Sequence, residues 1–169
     1  MNQAVHGQPP SARGASRWPL LLMFLGLCFA VAAIGGAAAA DAGSTYTALE
    51  RPGWAPPSWL FGPVWTVLYA MIAVSAWLAV RARSTTSAKP AMIAWGAQLA
   101  LNLAWTPLFF AADQYGLAFL DILLLLAALA VTMLLFHRRS PAAALLLVPY
   151  AVWVAYATAL NLAIWQLNT

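Results

Sequence analysis

An all-α integral membrane protein, built as a five-transmembrane-helix bundle, is the fold class this chain predicts. Three observations carry the prediction. Of the 169 residues, 64% are hydrophobic and only 7% charged, with a mean hydropathy of +0.80. No water-soluble domain of this length hides that much apolar surface. Five apolar stretches are each long enough to cross about 30 Å of hydrocarbon at about 1.5 Å per residue. The charged residues fall between these stretches, with Asp121 the one acid inside a span.

The elements follow in order. Residues 1–17 form the polar segment, with His6, Pro9, Pro10, Arg13 and Arg17, and are expected to be a disordered cytoplasmic tail. Residues 18–168 form the membrane domain, with spans at about 18–40, 59–80, 91–111, 115–136 and 142–165. The connections are short, so consecutive helices are expected to be antiparallel neighbours; the one long loop is 41–58. A competing reading makes residues 1–40 a signal peptide, with Arg13 and Arg17 as its basic start and Ala37–Ala40 as a small-residue cleavage site. Against it, the apolar run exceeds a usual signal-peptide core.

Basic residues set the orientation. Arg13 and Arg17 precede the first span. Arg81, Arg83 and Lys89 lie between the second and third, and Arg138 and Arg139 between the fourth and fifth. These regions share one side; the other holds Arg51 with Asp41, Glu50 and Asp113. The positive-inside rule then places the N-terminus in the cytoplasm and the C-terminus outside. The cell membrane of a bacterium is the expected location. The lone cysteine, Cys28, sits in an apolar run, so no internal disulfide or thiolate zinc site forms.

The segment Arg51-Pro52-Gly53-Trp54-Ala55-Pro56-Pro57-Ser58-Trp59 stands out. Three prolines pin φ and remove donors, which makes a stiff loop that is cheap to order. Its tryptophans offer flat apolar faces with a polar edge, so the loop reads as a lid in which Trp54 meets a planar ligand. Of the nine tryptophans, Trp18, Trp59, Trp77, Trp95 and Trp165 fall near span ends and suit an interfacial aromatic belt. Trp54, Trp65, Trp105 and Trp153 need another explanation.

Helical spacing supplies one. Phe61, Trp65 and Tyr69 share a face of the second span; Asn102, Trp105 and Phe109 share one on the third. On the fifth, Tyr150, Trp153, Ala157, Leu160 and Asn161 form a stripe. Such stripes suit core packing as well as a ligand wall. Asn102 and Asn161 need partners inside the membrane, either neighbouring helices or a bound polar group. Asp121 is either held by a nearby Trp or Tyr or by water, or is functional. On the opposite face of the third span, Gly96, Ala100 and Ala104 recur every four residues. A small-residue ladder lets backbones approach closely, and a homodimer through this helix is the favoured partner, ahead of packing within the chain. No nucleophile–base pair, phosphate loop, nucleic-acid signature or ligand-spaced histidine is present, so no metal, catalytic residue or required cofactor is assigned.

The chain resembles the TspO/MBR family, which includes tryptophan-rich sensory proteins and translocator proteins. The resemblance rests on Trp54-x-Pro56-Pro57, on Phe61-x-Pro63-Val64-Trp65-Thr66-x-x-Tyr69, and on Asn102-x-x-Trp105-Thr106-Pro107-x-Phe109-Phe110. It continues through Ala118-x-x-Asp121-Ile122-x-Leu124 and Val148-Pro149-Tyr150-x-x-Trp153-x-x-x-Ala157-Thr158-x-Leu160-Asn161, ending at Trp165-x-Leu167-Asn168. The resemblance implies a five-helix bundle, commonly dimeric through the third helix. It also implies a pocket beneath the first loop for porphyrins such as protoporphyrin IX and haem, and in some members cholesterol or benzodiazepine-type ligands. Trp54, Trp65, Asn102, Trp105, Phe109, Trp153, Ala157 and Leu160 match its pocket positions. Light- and oxygen-dependent porphyrin degradation, with Trp65 and Trp153 reacting, is a second implied activity, and a ligand-regulated membrane scaffold is a third reading. Two departures stand out. Leu162 and Gln166 replace the Tyr and basic residue of the sterol motif, which argues against cholesterol. Thr45-Tyr46 replaces a Trp-Tyr pair early in the first loop.

Overall fold

The computed structural model describes residues 18–38 and 42–169. The predicted tail, residues 39–41 and the end of the small-residue cleavage motif lie outside the described residues. Every described element is helical. In chain order they are α1 (Trp18–Ala38), α2 (Ala42–Ala48), α3 (Phe61–Arg81), α4 (Lys89–Phe110), α5 (Tyr115–His137), α6 (Pro141–Leu145) and α7 (Val148–Leu167), with a 3-10 turn at Ser58–Leu60 leading into α3.

Four stretches are long and apolar enough to cross a membrane: Trp18–Ala38, Ser58–Arg81, Tyr115–His137 and Pro141–Leu167. The expected fifth, α4, has the length at 22 residues but not the apolarity. Its sequence carries Lys89, Gln98, Asn102 and two prolines. The last stretch is not one uninterrupted helix. Pro149 stands in the first turn of α7 and lacks the N–H that would continue the ladder from α6. Ser140 caps α6, its hydroxyl accepting from the amide of Ala143. The expected long loop contains α2, which no span pattern announced. α3 tolerates Pro63 because a proline in the first turn removes no helical hydrogen bond. At the α4–α5 turn Asp113 takes φ of 51°, a left-handed conformation that Asp accepts more readily than most residues.

The long helices close into a ring in the order α3, α1, α4, α5, α7. The expectation that consecutive helices are neighbours fails at α3 and α4. There α1 intervenes, and α4 reaches α3 through side chains: Trp95 Nε1 donates to the Ile72 carbonyl at 3.3 Å. Trp95 is therefore a core residue, not part of an interfacial belt. Lipid supplies no hydrophobic drive between helices, so close packing of small and branched side chains holds them. Ile72, Ala73 and Ala76 of α3, Cys28 of α1, Leu129 and Phe136 of α5 and Leu147 fill the half of the bundle toward the α3–α4 connection. Arg139 closes that end. Its guanidinium donates to the carbonyls of Ala79 and Thr86, tying the α5–α6 turn to α3. Arg81 lies over the Trp77 ring at 4.1 Å, a cation–π contact.

Candidate functional site

The other half of the bundle is hollow. A cavity of about 420 Å³ lies among α1, α2, α3, α4 and α7. The sequence explains each wall. On α3, Phe61, Trp65 and Tyr69 repeat every four residues and so face one way. On α4, Asn102, Trp105, Thr106 and Phe110 face it; on α7, Trp153 and Ala157 do. α1 contributes Phe29 and the small residues Ala32, Gly35 and Gly36. A Cβ added at Gly36 or at Gly62 would meet nothing within 4 Å, so absent side chains make room along the flank between α1 and α3.

Polar groups are few and mostly engaged. On the floor, the Tyr69 hydroxyl donates to Asn102 Oδ1 at 2.5 Å, and Asn102 Nδ2 donates to the Tyr150 hydroxyl at 3.1 Å. One amide thus joins α3, α4 and α7. Beside the cavity, Trp105 Nε1 donates to Asn161 Oδ1 at 3.0 Å, and Asn161 Nδ2 donates to the Tyr115 carbonyl at 2.9 Å. The two asparagines are thereby held by neighbouring helices. What remains for a ligand is ring faces, the Thr106 hydroxyl, and the Trp65 and Trp153 indoles; the Thr66 hydroxyl donates to the Gly62 carbonyl at 2.9 Å. Among the described residues no three His, Cys, Asp or Glu side chains group to hold a metal.

The roof is built in two layers. Tyr46 of α2 lines the cavity and is almost fully buried. Its hydroxyl donates to the Pro56 carbonyl at 2.9 Å, and the Arg51 guanidinium covers its ring at 4.6 Å. Burial pushes the Tyr46 phenol above its ordinary range, and Arg51 offsets part of that rise. Over this layer runs the Trp/Pro loop.

The structure brings seven of the sequence-predicted site residues to the cavity: Phe61, Trp65, Tyr69, Asn102, Trp105, Trp153 and Ala157. Five others do not line it. Trp54 is 50% exposed and packs edge-on against Tyr156, outside the roof. Phe109 and Leu160 lie in a separate packed cluster with Tyr46, Ala118 and Ile164. Asn161 is taken up by its two partners. Asp121 is buried on α5 with one carboxylate oxygen, Oδ2, unpaired. Gly96, Ala100 and Ala104 leave an uncovered face on α4: Ala100 and Ala104 are exposed, and a Cβ on Gly96 would meet nothing. Sequence reasoning missed the α1 wall and Tyr46. The Gly35-Gly36 pair was the available sign of the former, and the lone tyrosine of the first loop of the latter.

An all-helical membrane protein with an aromatic-walled cavity in one half of its bundle is the class that fold and site define. Comparison with known proteins gives the family. The sequence model described as the TspO/MBR family matches residues 24–166. The human translocator protein is 41% identical over 125 residues, covering 73% of this chain and 74% of that protein. The tryptophan-rich protein TspO of Chlorobaculum tepidum is 39% identical over 150 residues, 88% of this chain and 95% of its own. The tryptophan-rich sensory protein of Cereibacter sphaeroides is 34% identical over 151 residues, 89% and 92% respectively. The chain belongs to the TspO/MBR family.

Proposed function

We propose that this protein is a membrane receptor or sensor that holds a flat tetrapyrrole, of the protoporphyrin IX or haem type, in the cavity and reports on tetrapyrrole or stress status. The observation that carries the reading is the cavity itself. At about 420 Å³ it falls within the usual range of about 300–1,000 Å³ for small-molecule sites. Its wall carries eight aromatic rings, from α1, α2, α3, α4 and α7, and its polar groups are mostly spent on one another. Such a wall favours a ligand recognised by its faces. The half near Arg139, filled by buried side chains such as Ile72, Leu129, Phe136 and Leu147, favours retention over conduction.

The reading includes five crossings. α4, at 22 residues, is flanked by α1 and α5, which shield its polar face from lipid. It also includes the orientation that the positive-inside rule gives, with the α3–α4 and α5–α6 connections cytoplasmic. The uncovered Gly96, Ala100 and Ala104 face of α4 is the proposed seat of a second copy.

The test is quenching of tryptophan fluorescence by protoporphyrin IX in lipid nanodiscs. Saturable quenching is expected. Trp65→Phe combined with Trp153→Phe should weaken affinity about tenfold or more, given about 0.5–1.5 kcal/mol per aromatic contact. Unchanged affinity would sink the pocket assignment. Both indoles border the cavity, which keeps porphyrin degradation as the second reading. Under light and oxygen, porphyrin loss no faster than in that double variant disposes of it.

A further inference from the structure

At the end of the bundle that Arg139 closes, positive charge has no counter-charge. Arg81 ends α3, Arg83 and Lys89 follow on the α3–α4 connection and the start of α4, and Arg138 and Arg139 form the α5–α6 turn. The described acids lie elsewhere: Glu50 and Asp113 at the opposite end, and Asp121 inside α5. Arg139 spends its guanidinium on two backbone carbonyls. Arg81 is held differently. Its guanidinium lies over the Trp77 ring at 4.1 Å, and that ring stacks on Trp18 of α1 at 6.3 Å. A guanidinium stacked by its face keeps its N–H edges in the plane, the geometry that grips a phosphate with two parallel bonds. Among the described residues no acceptor takes those N–H groups. An interfacial belt accounts for indoles at this level, but not for a cation laid against one of them with its edges unspent.

We propose that Arg81, Trp77 and Trp18 form a headgroup site for an anionic phospholipid of the leaflet on that side. Arg81 takes the phosphate, and the outer face of α1 takes an acyl chain. Three features commit the site to a lipid. First, Arg81 stands where the apolar stretch Ser58–Arg81 ends, which is headgroup depth. Second, Trp18 and Leu22 are each 65% exposed and Phe29 is exposed on the same face of α1. From Trp18 to Phe29 the helix rises about 16 Å, close to half of the roughly 30 Å hydrocarbon core. Third, a Cβ on Gly26, between Leu22 and Phe29, would meet nothing within 4 Å, so the track has a dip along it. The charge of the lipid follows from the neighbours. A zwitterionic headgroup brings its own cation, which Arg83, Lys89 and Arg138 repel; an anionic one brings none. The site does not rest on the receptor reading.

The test is native mass spectrometry of the full chain from mixed micelles, titrated with phosphatidylglycerol or phosphatidylcholine of the same acyl chains. One phosphatidylglycerol should bind wild type about tenfold more tightly than phosphatidylcholine. Arg81→Ala should weaken phosphatidylglycerol about fivefold, the worth of one basic group at an anionic surface. Arg81→Lys keeps the charge but loses the fork and the stack, and should weaken it about threefold. Arg138→Ala, at the same end but away from the indoles, should change it less than about twofold. Equal losses from Arg81→Ala and Arg138→Ala mean a diffuse basic surface and overturn the site, as does a wild type with no preference between the lipids. Displacement of phosphatidylglycerol by millimolar inorganic phosphate makes this a soluble-anion site and overturns the lipid assignment. Circular dichroism checks that each variant folds, and Arg81→Lys decides the matter if Ala at the end of α3 disturbs the helix.

Discussion

Asn102 is the side chain whose loss should cost the bundle most for its size. It is 4% exposed, and Tyr150, which it contacts, is fully buried. Asn102→Ala removes the 2.5 Å bond from Tyr69 and the 3.1 Å bond to Tyr150. Interhelical hydrogen bonds in membranes average about 0.6 kcal/mol and reach about 1.7, so the pair is worth about 1–3 kcal/mol. The stranded Tyr150 hydroxyl adds a penalty, because a buried unsatisfied group costs about 1–3 kcal/mol. The two overlap, and about 2–4 kcal/mol is the expected loss. Tyr69 borders the cavity and can find water there, so its share is the smaller one. The assay is reversible unfolding by SDS in mixed micelles, run as a double-mutant cycle on Asn102→Ala and Tyr150→Phe. A coupling energy near 1 kcal/mol is expected, with a weaker one to Tyr69→Phe. If the double variant equals the sum of the singles within about 0.3–0.5 kcal/mol, and Asn102→Ala costs no more than that, the three-helix bridge contributes nothing and the reasoning fails.

Two further outcomes are open to direct measurement. A Cβ on Gly116 would stand 2.9 Å from Trp165 Cζ2 and 3.1 Å from Cε2, so Gly116→Ala should destabilise α5 against α7 by about 1–3 kcal/mol; the same unfolding assay reads it, and a neutral result means the partly exposed indole simply swings away. Tyr46 should titrate above the ordinary tyrosine value of about 10, since burial outweighs the opposing effect of Arg51. Its folded value is raised, so its stabilising contribution is complete below the unfolded value and is lost only as pH climbs through the folded one; the ultraviolet difference titration of wild type against Tyr46→Phe refutes this if the step falls at or below 10.

Periodicity was legible wherever side chains had volume. Phe61, Trp65 and Tyr69 point one way because the helix repeats them every four residues, and Trp105 and Trp153 follow the same logic. Spacing gives direction, however, and not depth. Phe109, Leu160 and Asn161 share faces with pocket residues, yet lie where α4, α5 and α7 have already closed on one another. The α1 wall was illegible for the opposite reason. Ala32, Gly35 and Gly36 act by leaving space, and missing atoms make no stripe. α2 escaped because its seven residues, Ala42–Ala48, are too short and too polar to show an apolar period. Trp54 misled through its chemistry. A flat ring on a stiff loop suggests a ligand, whereas here it packs on Tyr156. The interruption ahead of α7 was visible as Pro149, but apolarity on both sides of it read as one span.

The packed half of the bundle carries a consequence of a different kind. On the receptor reading, a cavity floored by Tyr69, Asn102 and the filled core below them would come to equilibrium with the phase that its roof and flank face. Its occupancy would then track the ligand's chemical potential in that compartment. Such a device would spend no gradient and do no osmotic work; it would behave as a gauge, its scale fixed by the affinity of the aromatic wall.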